Sequence, residues 1–199
     1  MELDYSENEI AFKKELSPLD EFAIEFVSIL NDLGIKYVVV SGYVAILFGR
    51  SRSSEDIDLL FEKLTFTRFQ DLWLKLYEKF ECLNTEDAKT AYEQYLLNNN
   101  AIRFSFKGEF LPNMEIKFPQ DRIGELALNS RIKVILNGNL TYISPLELQI
   151  SYKLFLGSEK DIEDARYLFR IFKDKLNLEK MHSFNRKLKI EEKYNKYIK

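Results

Sequence analysis

Cysteine, histidine and tryptophan are scarce in this chain of 199 residues, which contains one of each, together with four prolines. A single thiol, Cys82, cannot form an internal disulfide, and no apolar leader opens the chain, so a reducing cytoplasm is the expected compartment. The only histidine, His182, lies in a basic segment, which argues against a histidine-dependent catalytic dyad. No apolar run approaches the roughly 18 residues that span a membrane, and no membrane partner is expected.

Charge is nearly balanced over the whole chain, but it is distributed unevenly. The formal net charge is −3, and 46% of the residues are hydrophobic, which is enough for one sizeable core with a helical appendage. Residues 173–199 carry nine lysines and arginines against four acids. The favoured interpretation of that segment is a solvated helix and a frayed terminus. The alternative is a contact surface for RNA or another polyanion.

Residue periodicity predicts an α+β fold, in which a mixed sheet with packed helices is followed by helices only. Residues 1–16 have no clear period and are interpreted as a loose lead-in. The core is expected over residues 17–143 and a helical C-terminal region over 144–199, packed on the core as one unit. The predicted helices are 17–33, 43–48, 66–80, 85–97, 144–156, 159–176 and a segment after 177. The predicted strands are 36–41, 56–61, 101–106, 114–118, 131–136 and 140–143, the last two joined by an Asn-Gly turn.

Two aspartates on one predicted strand carry the strongest chemical signal. Asp56 and Asp58 are two positions apart, so their side chains should point to the same face of the sheet. Carboxylates that close raise each other's pKa, and burying an unpaired charge is costly. A divalent cation with oxygen ligands, such as Mg²⁺, removes the conflict. The alternative is that Asp56 caps the strand and Asp58 has a polar partner; the metal site is favoured.

Other residues could complete a site around the two aspartates by binding the metal or the phosphates. Glu115 lies on a later predicted strand and is the natural third metal ligand, unless it pairs with nearby Lys117. Gly42 follows a buried strand and precedes a helix, where a glycine lets backbone N–H groups approach a phosphate, although an ordinary tight turn is the alternative. Arg50 and Arg52 precede the aspartates and could neutralise triphosphate charge; the alternatives are loop solubility or a salt bridge to Glu55.

Two stretches of the chain resemble a known superfamily. The first runs Ser41-Gly42-Tyr43-Val44-Ala45-Ile46-Leu47-Phe48-Gly49-Arg50-Ser51-Arg52, then Ser54-Glu55-Asp56-Ile57-Asp58. It is similar to the glycine turn and D-x-D strand of DNA polymerase beta-type nucleotidyltransferases. The match is greatest with the minimal prokaryotic members related to abortive-infection toxins. The second comprises Ser144-Pro145-Leu146-Glu147, Lys153 and Lys160-Asp161-Ile162-Glu163-Asp164-Ala165-Arg166, which is similar to the helical motifs of that group.

The resemblance implies an activity and a role for each matched residue. The activity would be Mg²⁺-dependent transfer of a nucleoside monophosphate from an NTP to a hydroxyl of RNA, a protein or a small molecule. Two Mg²⁺ ions would be bound by Asp56, Asp58 and Glu115, and Glu115 would also act as base. An antitoxin partner would accompany a toxin-like member. The nucleotide would contact Ser41, Gly42, Tyr43, Arg50, Arg52, Lys153 and Asp164. For Lys153 and Asp164, an interhelical salt bridge is an equal alternative.

One position departs from the family pattern. The residue after the motif glycine is usually glycine or serine, whereas this chain has Tyr43, whose bulk is expected to alter the nucleotide affinity or the geometry of the turn. A catalytically silent nucleotide- or partner-binding module with the same fold is therefore the alternative function. A third hypothesis is an RNA-binding domain that uses the basic segment after Lys173.

Overall fold

The computed structural model describes residues 3–6 and 9–198. Its strands are β1 (Leu3–Ser6), β2 (Glu9–Phe12), β3 (Tyr37–Val40), β4 (Asp56–Phe61), β5 (Phe80–Cys82), β6 (Ile102–Phe106), β7 (Asn113–Lys117), β8 (Ile132–Leu136) and β9 (Asn139–Ile143). Its helices are α1 (Pro18–Asp32), α2 (Gly42–Leu47), α3 (Phe66–Leu76), α4 (Ala88–Thr90), α5 (Arg122–Asn129), α6 (Leu146–Leu156), α7 (Glu159–Phe172), α8 (Leu178–Leu188) and α9 (Glu191–Tyr197). A π-helical turn, Ala91–Tyr95, and a 3₁₀ turn, Leu96–Asn98, extend α4.

The described strands form one mixed sheet of nine strands in the order β1-β2-β8-β9-β3-β4-β7-β6-β5. The strands that carry the candidate site are at its centre, where β4 pairs antiparallel with β3 and parallel with β7. The exposed fractions of Val38, Val39, Ile57 and Leu59 are at most 1%, because helices cover the centre of the sheet on both faces. This mixed α+β architecture confirms the predicted fold class.

Helix α1 illustrates how local signals place the helices on the sheet. Ser17 and Asp20 form a reciprocal capping box, and Pro18 occupies the first turn, where its missing N–H costs nothing. The buried face of α1 includes Phe22 and Phe26, whose rings contact the ring of Phe80 at 5.7 and 5.2 Å between centroids. The helix therefore covers the β5–β6 end of the sheet with aromatic side chains.

The helices after β9 share the hydrophobic core of the sheet. Leu146, Ile150 and Leu168 are fully buried in the same cluster as the strand residues. The ring of Phe172 in α7 lies edge-on to Phe48 at the end of α2, with 4.8 Å between centroids. No helix within residues 3–6 and 9–198 is both long and apolar enough to span a bilayer.

The structure differs from the sequence predictions at four places. The prediction that residues 1–16 form a loose lead-in is wrong for the described part of this segment. Strands β1 and β2 pair antiparallel, and β2 also pairs in parallel with β8. Residues 1, 2, 7 and 8 lie outside the described chain. The helix predicted over 66–80 ends at Leu76, and Phe80, the last residue of the predicted range, is the first residue of β5. Helix α5 was not predicted. The segment after 177 contains two helices, and Lys199 lies outside the described residues.

Candidate functional site

The turn between β3 and α2 is held in an unusual backbone conformation. Ser41 has φ 64° and ψ −138°, a region that residues with a Cβ rarely occupy. Its carbonyl accepts a 2.6 Å hydrogen bond from Nε2 of Gln149 in α6, which ties the turn to the C-terminal helices. At Gly42, an added Cβ would lie 2.8 Å from Nη2 of Arg52. The glycine is therefore required for the close approach of a guanidinium to this turn.

The Tyr43 side chain points away from the turn surface. It is 2% exposed, and its hydroxyl donates a 2.8 Å hydrogen bond to the carboxylate of Asp20 in α1. Burial, followed by the adjacent Asp20 charge, raises the pKa of Tyr43 well above its usual value. Because the Tyr43 side chain belongs to the core, the expectation that its bulk would alter the turn is wrong. Only its backbone remains as a predicted phosphate contact.

The three predicted carboxylate ligands lie on neighbouring strands. Asp58 is directly opposite Glu115 in the parallel β4–β7 pair, so both side chains point to one face, while Asp56 is opposite Asn113 and is exposed. Burial raises the pKa of the Asp58 carboxyl, and the charges of Glu115 and Asp56 raise it further. A hydrogen bond from Ser41 and the charge of Lys117 act in the opposite direction.

Glu115 also has cationic neighbours. Its carboxylate lies 2.7 Å from Nη2 of Arg103 and 3.3 Å from Nζ of Lys117, so the expected alternative pairing with Lys117 is present. Across the described residues, no three or more His, Cys, Asp or Glu side chains are close enough together to hold a metal ion as they stand. The structure therefore brings Asp58 and Glu115 together and leaves Asp56 at the exposed start of β4.

A cleft of about 240 Å³ opens beside Asp58. Its polar lining includes Ser41, Asp58, Lys117 and Lys153, while Leu60, Ile123, Leu148 and Tyr152 line its apolar side. The cleft lies between the centre of the sheet and helices α5 and α6. Its combination of an apolar wall with a few convergent charges is typical of a small-molecule site.

The predicted phosphate-binding cations are joined to the acids of α7. Asp164, which is fully buried, pairs with Arg50, with Arg52 at 2.7 Å and with Lys153 at 3.1 Å. Lys153 is 3% exposed and also pairs with Asp161 at 2.6 Å. The interhelical salt bridge expected as one alternative for Lys153 and Asp164 is thus present. We call these five residues the Asp164 network.

Within the Asp164 network, Arg50 also contacts residues of α7 outside the network. Arg50 pairs with Glu163 at 2.6 Å and donates a hydrogen bond to the Lys160 carbonyl at 3.2 Å. Burial, followed by the nearby charge of Arg50, lowers the pKa of Arg52. The network thereby connects the loop before β4, the Gly42 turn and the C-terminal helices.

Several residues of the cleft were not predicted. Asp121 caps α5 by accepting hydrogen bonds from the backbone N–H groups of Ile123 and Gly124 at 2.9 and 2.8 Å, and it lines the cleft. The Asp121-Arg122-Ile123 cap signal was available in the sequence. Tyr152 and Gln149 lie on α6, where eight of eleven residues are buried, so the periodicity does not distinguish cleft residues from core residues.

Solved structures of nucleotidyltransferase-like proteins are similar to this chain in fold. No family model and no curated protein matches the chain. An antigenic nucleotidyltransferase-like protein from Paracoccidioides brasiliensis is 16% identical, with a TM-score of 0.54 over 92% of this chain and 94% of that one. The chain shares the fold of this nucleotidyltransferase-like protein. ANT(2″)-Ia in complex with adenylyl-2″-tobramycin is 15% identical, with a TM-score of 0.56 over 87% of this chain and 98% of that one. At these identities the likeness concerns the fold.

Proposed function

We propose that this protein is a Mg²⁺-dependent nucleotidyltransferase that moves a nucleoside monophosphate from an NTP to a hydroxyl acceptor, with release of pyrophosphate. The observation that carries the proposal is the register that places Asp58, which lines the cleft, opposite Glu115. Asp56 lies two residues before Asp58 on the same strand face, so we propose it as the third ligand, which would join the other two when a cation binds.

The donor set fits a hard divalent cation. Asp58 is held in a partly buried place where its charge is unfavourable, which a cation would correct, and all three candidate ligands offer oxygen. Bound Mg²⁺ would stabilise the charge that develops on the transferred phosphoryl group. Glu115 would accept the proton of the attacking hydroxyl. Lys153 would contact the triphosphate from the cleft wall, and the backbone of Ser41, Gly42 and Tyr43 from the turn.

The acceptor and the biological role are parts of the same proposal. The compound bound to ANT(2″)-Ia is an adenylylated tobramycin, so a hydroxyl of a small molecule is one acceptor class to be tested beside RNA and protein. The motif similarity around Asp56 and Asp164 supports a toxin-like member that acts in the cytoplasm with an antitoxin. Expression should then impair growth, and Asp58→Asn should relieve the impairment.

Labelled-nucleotide transfer tests the proposal directly. Each of the four labelled NTPs is incubated with the protein, Mg²⁺ and total cellular RNA, protein or a panel of aminoglycosides. Asp58→Asn should abolish label transfer, whereas Asp71→Asn, the same change at an exposed aspartate of α3, should leave it intact. Transfer that survives Asp58→Asn would refute the assigned role.

A catalytically silent nucleotide-binding module is the second candidate. The Asp164 network favours a silent module, because the three cations expected to stabilise a reacting triphosphate already have carboxylate partners and are less available for transfer chemistry. This candidate predicts NTP binding by calorimetry, unchanged in Asp58→Asn, and no label transfer to any acceptor. Turnover distinguishes the two functions.

A further inference from the structure

A second groove lies on the outer side of the Asp164 network, between α7 and α9. It has a volume of about 520 Å³, and its lining includes Arg50, Arg166, Tyr167, Arg170, Lys173 and Tyr197. Among the described residues of that lining, the one acid is Glu163, and it is already paired with Arg50. The groove is therefore strongly positive, although the chain as a whole has a net charge of −3.

The cations of this groove form a stripe. Arg166, Arg170 and Lys173 are four and three residues apart, so they share one face of α7 and extend over about 10 Å of its length. All three are exposed, and within the described chain none of them forms an ion pair with an acid. Unneutralised cations in a row are a site for a ligand with several negative charges.

Aromatic rings lie beside the cations. The Arg170 guanidinium is 5.5 Å from the ring centre of Tyr167, and the Lys196 ammonium is 4.8 Å from that of Tyr197. Both tyrosines are partly exposed, and Tyr167 is anchored by a 3.1 Å hydrogen bond to the Phe48 carbonyl. Positive grooves that contain aromatic rings bind single-stranded nucleic acids, because the cations follow the phosphates and the rings stack on bases.

We propose that the α7–α9 groove binds a single-stranded nucleic acid and, granted the proposed function, presents it as the acceptor. An acidic protein segment would match the charge but would leave the rings unused. Arg50 lines the groove and lies in the loop that precedes Asp56 and Asp58, so the groove and the candidate site share this loop. The acceptor part of the inference rests on the nucleotidyltransferase proposal; the binding part does not.

The salt dependence of binding follows from the number of free cations. Three phosphate contacts to a single strand give a slope of about −2 in log K against log salt, which is about a 20-fold loss of affinity between 50 and 200 mM KCl. Removing two of the contacts should reduce the slope to about −0.7. Stacking on the tyrosines adds a component that salt does not remove.

Fluorescence anisotropy on the full chain, without NTP or metal, tests the groove. The probes are labelled 12-nucleotide oligouridylate and oligothymidylate, with polyglutamate of equal charge as competitor. Arg166→Gln with Arg170→Gln should weaken binding at least tenfold and flatten the salt slope. Lys63→Gln with Lys107→Gln makes the same charge change at two exposed lysines elsewhere and should have little effect. Tyr197→Ala should weaken binding without changing the slope.

The outcomes separate this inference from the proposed function. A preference for the uridylate identifies RNA as the ligand, and equal binding identifies single strands of either kind; both support the groove. No binding at 50 mM KCl, equal loss in the lysine control, or displacement by polyglutamate at equal charge concentration would overturn it. If Asp58→Asn and the wild type bind equally but neither transfers label, the nucleotidyltransferase proposal fails and the groove stands.

Discussion

Asp164 is the residue whose replacement has the most directly calculable consequence. Asp164→Asn keeps the size of the side chain and removes the charge shared by Arg50, Arg52 and Lys153. Arg50 retains Glu163 and Lys153 retains Asp161, whereas Arg52 forms no other ion pair among the described residues. The substitution therefore leaves one partly buried guanidinium without a counter-ion and two cations with weaker neutralisation.

The expected cost is large for a single substitution. Removing one partner of a buried ion pair costs about 3–5 kcal/mol, and the remaining acids favour the lower end, about 3 kcal/mol. For a chain of this size, that corresponds to a fall of about 6–12 °C in the unfolding temperature. The Asp161 side chain is 16% exposed. Asp161→Asn should lower the free energy of unfolding by only about 1 kcal/mol, because Lys153 keeps its ion pair with Asp164.

Urea unfolding followed by tryptophan fluorescence measures both variants against the wild type. In Asp164→Asn, millimolar tripolyphosphate should restore part of the lost stability, because an anion can replace the missing carboxylate. A free-energy change within about 0.5 kcal/mol of the wild type, or a larger loss in Asp161→Asn, would refute the assignment of Asp164 as the shared counter-ion.

Three other predictions concern the surroundings of the turn. Tyr43→Phe removes a buried hydrogen bond to a carboxylate and should cost about 2 kcal/mol by urea unfolding, while NTP affinity by calorimetry stays unchanged, since the ring faces α1. Burial would raise the pKa of Asp20, but hydrogen bonds from Ser17, Lys14 and Tyr43 outweigh it and hold the pKa below 3.8. Because its folded-state pKa is depressed, Asp20 stabilises the fold fully above about pH 4, and this contribution is lost as the pH falls further. Asp20→Asn should therefore flatten the acid limb of thermal unfolding below about pH 4. Gly42→Ala should displace the Arg52 guanidinium and cost about 1 kcal/mol, and a double-mutant cycle should find the cost much smaller beside Arg52→Ala.

The central strands could be predicted because their signal is local. Apolar residues flank the acids of β4 and β7, and each strand is bounded by polar residues, so period-two alternation was sufficient. The register that places Asp58 opposite Glu115 could not be predicted in this way, since it depends on residues that are distant in the chain. A cation shared by these carboxylates requires that proximity, and the prediction of Glu115 as a ligand depends on it.

The missed elements have physical reasons too. Strand β2 has four residues, of which Ile10 and Phe12 are buried, so its alternation is too short to mark a strand, and its partner β8 lies more than 120 residues later. Helix α5 contains Gly124, which reads as a helix breaker. In the structure, a Cβ at this position would lie 3.3 Å from the Cβ of Pro119 and 3.4 Å from a methyl of Leu60, so the glycine serves close packing. Tertiary contact outweighed local propensity at both places.

The two ends of the sheet have a consequence for how the protein behaves in concentrated solution. The outermost strands, β1 and β5, are four and three residues long, and each carries an acid, Asp4 and Glu81. Open strand edges recruit other chains, and short charged edges give an incoming strand little to pair with. The broad sheet therefore resists edge-to-edge aggregation, and a substitution that lengthens β5 or neutralises Glu81 should be the first to make it self-associate.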